Sequence, residues 1–322
     1  MLRSHPHKMV KIVVGMMGSS VQGGSKSLST PQQTSDFLSM VASHNVSELD
    51  TARVYAGGKS EGLLGAVHAS STFAISTKAP AFSAGSLAHS KIIANCNASL
   101  AALKQDRVDI YYLHGPDAQT PLEEQCDAIN QLYTEGKFSR FGVSNIAPSA
   151  VRTIHDYCKT KGYVLPSVYQ GGYNPILRTT EEHLFPLLRE LGMVFYAYSP
   201  LAGGLFAKEL SEIRAPEKGT RYDEMKVFGM LYLGDEEALK ALERLTGLVE
   251  GEGMEMVDAT MRWHVNHSIL GDGDAVILGG SSIEQVERTL RACEMGALSE
   301  ELQAGFEELW QVAKKKAPPF IY

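Results

Sequence analysis

Apolar positions along the chain fall into two alternating rhythms. Short, nearly continuous runs of β-branched, aliphatic and aromatic residues occur at Val10–Gly15, up to Asp50, and at Phe73–Thr77, Val108–Leu113, Arg140–Val143, Ser167–Gln170, Met193–Tyr198 and Ala275–Leu278. Runs of that length and content predict strands buried on both faces. Between them lie longer segments with apolar residues at helical spacing, as at Phe37, Leu38 and Val41 behind a Thr30-Pro31 start. The pattern predicts helices over 30–44, 60–69, 89–104, 121–135, 148–161, 181–191, 235–250, 256–267, 282–293 and 299–315. Strands alternating with such helices make parallel βαβ units. Eight such strands in 322 residues predict one (β/α)₈ TIM barrel domain spanning 1–322. A doubly wound open sheet is the competing architecture, but no GxGxxG follows an early strand, where that fold would bind a dinucleotide. The rhythm breaks at Leu201–Gly234, which mixes glycine, proline and charge and predicts a long loop on the face where barrel strands end.

Composition narrows the classes of function. A hydrophobic share of 44% suits a folded globular chain. A formal charge of −7, without clustered Lys and Arg, argues against a nucleic-acid surface. Cys96, Cys126, Cys158 and Cys293 include no CxxC pair, so neither a zinc knuckle nor a disulfide framework is indicated. No stretch approaches the ~20 apolar residues of a membrane span, and the short apolar run after Met1–Lys8 reads as a strand rather than a signal segment. A cytoplasmic address with no membrane partner is the expectation. Lys314-Lys315-Lys316 closes the last predicted helix, where cations complement its dipole. Oligomeric state stays open, since composition does not separate exposed patches from core.

Asp50, Tyr55, Lys78 and His114 each follow or end a predicted strand, and a closed barrel brings such ends to one mouth. A phenol, with an ordinary pKa of ~10, is a poor general acid near neutrality. A neighbouring ammonium favours the phenolate, and a carboxylate orients the ammonium. Asp50, Lys78 and Tyr55 therefore make a candidate proton donor, with His114 placed to hydrogen-bond a carbonyl oxygen. Taken singly, each has a plainer reading as a turn cap, a solvated charge, a loop aromatic or a packed histidine. Four together, at matching strand ends, tip the balance toward chemistry. Lys78 at a strand end also suits a Schiff-base aldolase. His264 and His267 have metal-binding spacing on one helix, but no third ligand accompanies them, and structural histidines are expected.

The stretch Asp50–Tyr55, with Thr77-Lys78 and Tyr112-Leu113-His114, resembles the Asp-x-x-x-x-Tyr, lysine and histidine signatures of the aldo-keto reductases. The resemblance extends over nearly the whole chain. It implies hydride transfer from NADPH to an aldehyde or ketone, with Tyr55 donating the proton, Lys78 and Asp50 tuning it, and His114 orienting the carbonyl. It also implies a nicotinamide carboxamide held by Ser144, Asn145 and Gln170, and a ring stacked on Tyr198. Ser199-Pro200-Leu201-Ala202-Gly203-Gly204-Leu205 and the segment from Gly279 to Arg288 are similar to the aflatoxin-aldehyde reductase branch. They imply cofactor contacts at Ser199, Leu201, Gly203, Gly279, Ser281, Ser282, Gln285 and Arg288, the second segment offering helix N-terminal amides to phosphates.

One departure bears on the cofactor. Gly279 and Gln285 stand where the family often has a lysine and an arginine on the 2′-phosphate, so the resemblance turns to Arg221, then Arg288 and Ser282, as replacements. NADPH, oxidised to NADP, remains the expected cofactor. Potassium-channel β-subunits also resemble the family, which makes a cofactor-binding regulatory subunit with little turnover the second reading. The expected partner is a small-molecule carbonyl. Its pocket walls should come from the loop at Gly115, from Leu201–Gly234 with Tyr222, Phe228 and Tyr232, and from Ala317–Tyr322.

Overall fold

A computed structural model of the chain describes residues 9–17, 28–209, 211–212, 236–280 and 282–317. Eight strands pair in parallel and in sequence order: β1 (Lys11–Gly15), β2 (Glu48–Asp50), β3 (Ala74–Ala79), β4 (Val108–Leu113), β5 (Phe138–Ser144), β6 (Pro166–Gly172), β7 (Val194–Tyr198) and β8 (Ala275–Leu278). β8 returns to pair with β1, so the sheet is a closed barrel. The helices are α1 (Pro31–Ser43), α2 (Lys59–Ala66), α3 (His89–Leu103), α4 (Leu122–Thr134), α5 (Pro148–Lys161), α6 (Thr180–His183), α7 (Phe185–Glu190), α8 (Glu236–Gly251), α9 (Met256–Asn266), α10 (Ile283–Cys293) and α11 (Glu300–Ala313). No described helix is long and apolar enough to cross a membrane.

Strand alternation sorts side chains between two cores. Ile110 and Tyr112 of β4, Tyr196 of β7, and Ala275 and Ile277 of β8 meet inside the barrel, while Tyr111, Leu113, Phe195, Ala197, Val276 and Leu278 join the larger layer shared with the helices. Both faces are apolar, so the strands read in sequence as continuous runs. The N-terminal end of the barrel is closed by charge. Arg140 donates to Asp109, Glu48 and Tyr196, and Glu48 also accepts from Lys11 and Tyr196.

Helix starts follow local chemistry. Thr30 accepts from the Gln33 amide and the Gln33 side chain accepts from the Thr30 amide, a reciprocal cap with Pro31 at the first helical position. Three expectations need correction. The helix expected over 181–191 breaks at Leu184, because Pro186 has no N–H to continue the ladder. β3 runs to Ala79, which puts Lys78 inside the strand rather than beyond its end. The last helix stops at Ala313, and Lys314 and Lys315 reach sideways to Glu182 and Glu237 instead of sitting in its final turn. A 3₁₀ turn, Ala202–Ala207, opens the segment after β7. Arg221, Tyr222, Phe228, Tyr232, Ser281 and the tail beyond Ala317 lie outside the described residues.

Two contacts fix the helical layer. Arg178, after β6, lies over the rings of Trp263 in α9 and Trp310 in α11, 5.4 and 5.5 Å from their centroids, and ion-pairs with Glu181 and Glu307. On the other side, α2 meets α3 so closely that a Cβ on Gly65 would lie 2.1 Å from the Ala102 carbonyl oxygen. Backbone cannot swing aside, so Gly65→Ala is expected to cost about 2–3 kcal/mol through overpacking. The measurement is urea unfolding, with a lower midpoint at unchanged slope; an unshifted midpoint would mean that α2 slides freely.

Candidate active site

β2 ends at Asp50, and the chain leaves it through a tight loop carrying Tyr55. Ala56, Gly57 and Gly58 take φ of 50°, 64° and 88°, a left-handed run that turns the chain back into α2. Buried polar groups hold this loop. The Thr51 hydroxyl is 2.7 Å from that of Ser60, Arg53 pairs with Glu61 at 2.5 Å, and Glu61, itself fully buried, accepts from Thr77 at 2.7 Å.

Lys78 projects from β3 into the barrel and is fully buried. Its Nζ donates to Asp50 Oδ2 at 2.6 Å and to the Thr51 carbonyl at 2.8 Å, and reaches the Tyr55 hydroxyl at 3.5 Å. The Gln170 amide donates to the other Asp50 oxygen at 2.9 Å. His114, the first residue beyond β4, stands edge-on to the Tyr55 ring at 5.8 Å and to Phe82 at 5.7 Å. All four residues expected from the sequence therefore meet at one mouth.

The electrostatics differ from the expectation in one respect. The Tyr55 phenol is not lowered; burial first, and then the Asp50 charge, push its pKa well above the ordinary value. It stays protonated at any physiological pH. Burial pushes the Lys78 amine down, while the Asp50 charge and hydrogen bond and the Glu61 charge work to keep it protonated. Burial, with the Lys78 charge second, pushes His114 down to about 3, so its imidazole is neutral and carries one N–H. The arrangement is a neutral proton donor beside a cation able to stabilise the charge left when the proton departs.

From β5 to β8 the strand ends carry the other expected residues. Asn145 donates to the His114 carbonyl and to Ser144 Oγ, both at 2.9 Å, and the Tyr198 hydroxyl donates to Asn145 Oδ1 at 2.7 Å. Gln170 is already engaged by Asp50. Phe82, Asn145, Ser199 and Ala202 all hold positive φ, beside Gly203 and Gly204, so backbone strain collects around this mouth. Leu201 is half-buried at the start of the 3₁₀ turn. Gly279 is exposed, and a Cβ there would meet nothing nearer than 3.8 Å, which leaves backbone open to a ligand beside the α10 N-terminus. Ser282 caps α10 by accepting from the Gln285 amide. Arg288 is turned to Glu255 and Asp258, so of the cations named to replace the missing basic pair it is committed within the fold and Arg221 lies outside the described residues.

Sequence reasoning passed over two supports. Glu61 gave no signal, because an acidic residue in a first helical turn ordinarily faces water. Asp117 accepts from the Gly85, Leu87 and Gln119 amides and the Thr120 hydroxyl, tying the loop after β3 to the loop after β4. Burial would raise its carboxyl, but those hydrogen bonds outweigh it and hold the group well below the usual carboxylate range. Gly115-Pro116-Asp117 is a turn signal that could have pointed to it.

The two helix histidines are structural. His264 is fully buried and donates Nε2–H to the Pro200 carbonyl at 3.1 Å, and His267 Nε2 accepts from the Leu298 amide at 2.8 Å. Among the described residues no His, Cys, Asp and Glu group could hold a metal. Burial pushes His264 from 6.5 to about 4. The unfolded chain therefore takes up a proton below about pH 6.5 that the folded chain refuses until about pH 4, and stability, full above the upper value, falls as pH drops through that window. Melting midpoints across the window should fall, and His264→Gln, which keeps a donor for Pro200, should flatten the decline; an equally steep decline in the variant would assign it elsewhere.

Residues 11–311 match the Aldo/keto reductase family. Oxidoreductase sirO of Leptosphaeria maculans is 39% identical over 90% of this chain and 89% of its own length. Aflatoxin B1 aldehyde reductase member 2 of Rattus norvegicus is 38% identical over 86% of this chain and 79% of its own. Aldo-keto reductase family 7 member A3 of Homo sapiens is 37% identical over 85% and 87%.

Proposed function

The chain belongs to the aldo/keto reductase family, whose members oxidise and reduce carbonyl groups, and from that premise we propose that it reduces an aldehyde or ketone with NADPH. The observation that carries the reading is the chain of contacts from Asp50 through Lys78 to the Tyr55 hydroxyl, with His114 beside it. Bound NADPH supplies the hydride. Tyr55 gives its proton to the carbonyl oxygen, and the Lys78 ammonium stabilises the phenolate that results. Asp50, itself held by Gln170, fixes that ammonium. His114, neutral, offers its N–H to the same oxygen and orients the carbonyl.

In this reading Ser144, Asn145 and Gln170 hold the carboxamide and Tyr198 packs on the ring. Gln170 then shares its amide between Asp50 and the cofactor. Ser199, Leu201, Gly203, Gly279, Ser281, Ser282 and Gln285 line the path of the remainder, with Arg221 the cation for the 2′-phosphate. The aldehyde of aflatoxin B1, named for the rat relative, is the substrate to try first.

The test is steady-state consumption of NADPH and, separately, NADH with an activated aromatic aldehyde. Aldehyde-dependent oxidation with a higher kcat/KM for NADPH is expected. A protein that binds NADPH yet turns over no carbonyl across a broad panel would instead be a regulatory subunit. Trapping of substrate on Lys78 by borohydride would make it an aldolase.

A further inference from the structure

Tyr112 has no part in the chemistry above, yet it packs against the amine at its centre. It stands between Lys78 and Gly142 in register across β3, β4 and β5, and its side chain is fully buried among the barrel-interior residues. Lys78 Nζ lies 5.6 Å from the Tyr112 ring centroid and 5.1 Å from that of Tyr55, so two aromatic faces share one ammonium. On its other neighbour, the ring takes the space of an absent side chain. A Cβ on Gly142 would come within 2.2 Å of the Tyr112 ring. The Tyr112 hydroxyl is different, for it is buried and no polar atom among the described residues makes a hydrogen bond of ordinary geometry with it. A simple filler for this space would be apolar, because an unpaired buried hydroxyl is unfavourable. What the ring offers that an aliphatic side chain lacks is an electron-rich face for a cation.

The contact that needs support is also the loosest. Lys78 Nζ is held at 2.6 and 2.8 Å by Asp50 and Thr51 but only 3.5 Å from the Tyr55 hydroxyl. The groups acting on the ammonium are Asp50 from β2, the Thr51 carbonyl just after it, Glu61 from α2, Tyr55 from the loop, Tyr112 from β4 and His114 just beyond β4. We infer that Tyr112 is a positioning residue for Lys78, its ring backing the ammonium from the barrel interior and keeping it in reach of the Tyr55 oxygen. The inference rests on the reductase reading of the same site.

Tyr112→Leu and Tyr112→Phe are to be compared with the unsubstituted protein for kcat, KM, NADPH affinity and melting midpoint. The ε-methylene signal of Lys78 is to be followed in carbon-13 lysine-labelled protein, assigned by its loss in Lys78→Met. Tyr112→Leu should lower kcat by roughly 30-fold, leave NADPH affinity unchanged, and move the Lys78 signal as ring-current shielding is lost. Tyr112→Phe should restore kcat and signal together and raise the melting midpoint, since no unpaired hydroxyl is then buried. A Leu variant with full kcat overturns the inference. So does a Phe variant as slow as Leu, which would shift the effect to the hydroxyl. A Leu variant that loses kcat and melting midpoint while the Lys78 signal stays put also overturns it, as a loosened core only. If the unsubstituted protein reduces no carbonyl, the reductase reading fails separately, and the Lys78 signal alone upholds or overturns the placement of the ammonium.

Discussion

Tyr55→Phe is expected to abolish nearly all carbonyl reduction, lowering kcat by roughly 10²–10⁴-fold, the usual worth of a positioned general acid. The substitution removes one oxygen and little else. Tyr55 is half-buried, its ring stays edge-on to His114, and the loop is held through Thr51, Arg53, Ser60 and Glu61 rather than through the phenol. NADPH affinity should therefore be kept and the fold should be at least as stable. Because burial and the Asp50 charge raise the phenol above its ordinary pKa, turnover of the unsubstituted protein should show no alkaline-side loss from Tyr55 near neutral pH. Stopped-flow mixing with saturating NADPH and aldehyde reads the chemical step directly. A variant with the full rate would remove Tyr55 from the proton path and with it the proposed mechanism.

Lys78→Met is expected to fail twice. Among the described residues the amine is the sole charged donor to Asp50, and removing one partner of a buried pair leaves the other uncompensated, a loss of about 3–5 kcal/mol. The Gln170 amide relieves part of it. Adding Asp50→Asn in the same chain removes the stranded charge, so the double variant should regain most of the stability. It should regain none of the turnover, since no cation remains beside the Tyr55 oxygen. Urea unfolding and single-turnover rates on the two singles and the double separate these effects as a mutant cycle. Turnover returning along with stability would mean that Lys78 serves only the fold.

The barrel was legible because its strands announce themselves by continuous apolar runs, and the site because barrel topology converts strand ends into neighbours. Asp50 and His114 could be placed from the run that precedes each. Lys78 could not be placed as well. It belongs to the strand, since an inward position near the mouth tolerates a charge once Asp50 faces it, and a local reading treats a lysine as the end of an apolar run. Glu61 was invisible for a related reason. Its burial depends on Arg53 and Thr77, eight and sixteen residues away, and no local pattern encodes a partner reached by folding. The break at Leu184 was written in the sequence at Pro186, where proline was compatible with either a first turn or an interruption.

Arg178 between Trp263 and Trp310 also decides what light can report about this molecule. The chain has two tryptophans, and both flank that guanidinium on the seam between α9 and α11. Intrinsic emission is therefore a gauge of one joint. It registers when helix α11 docks or peels away, and neither ring touches the phenol directly. A fluorescence change during refolding would time the arrival of α11, and its amplitude would say nothing about whether the proton donor had been assembled.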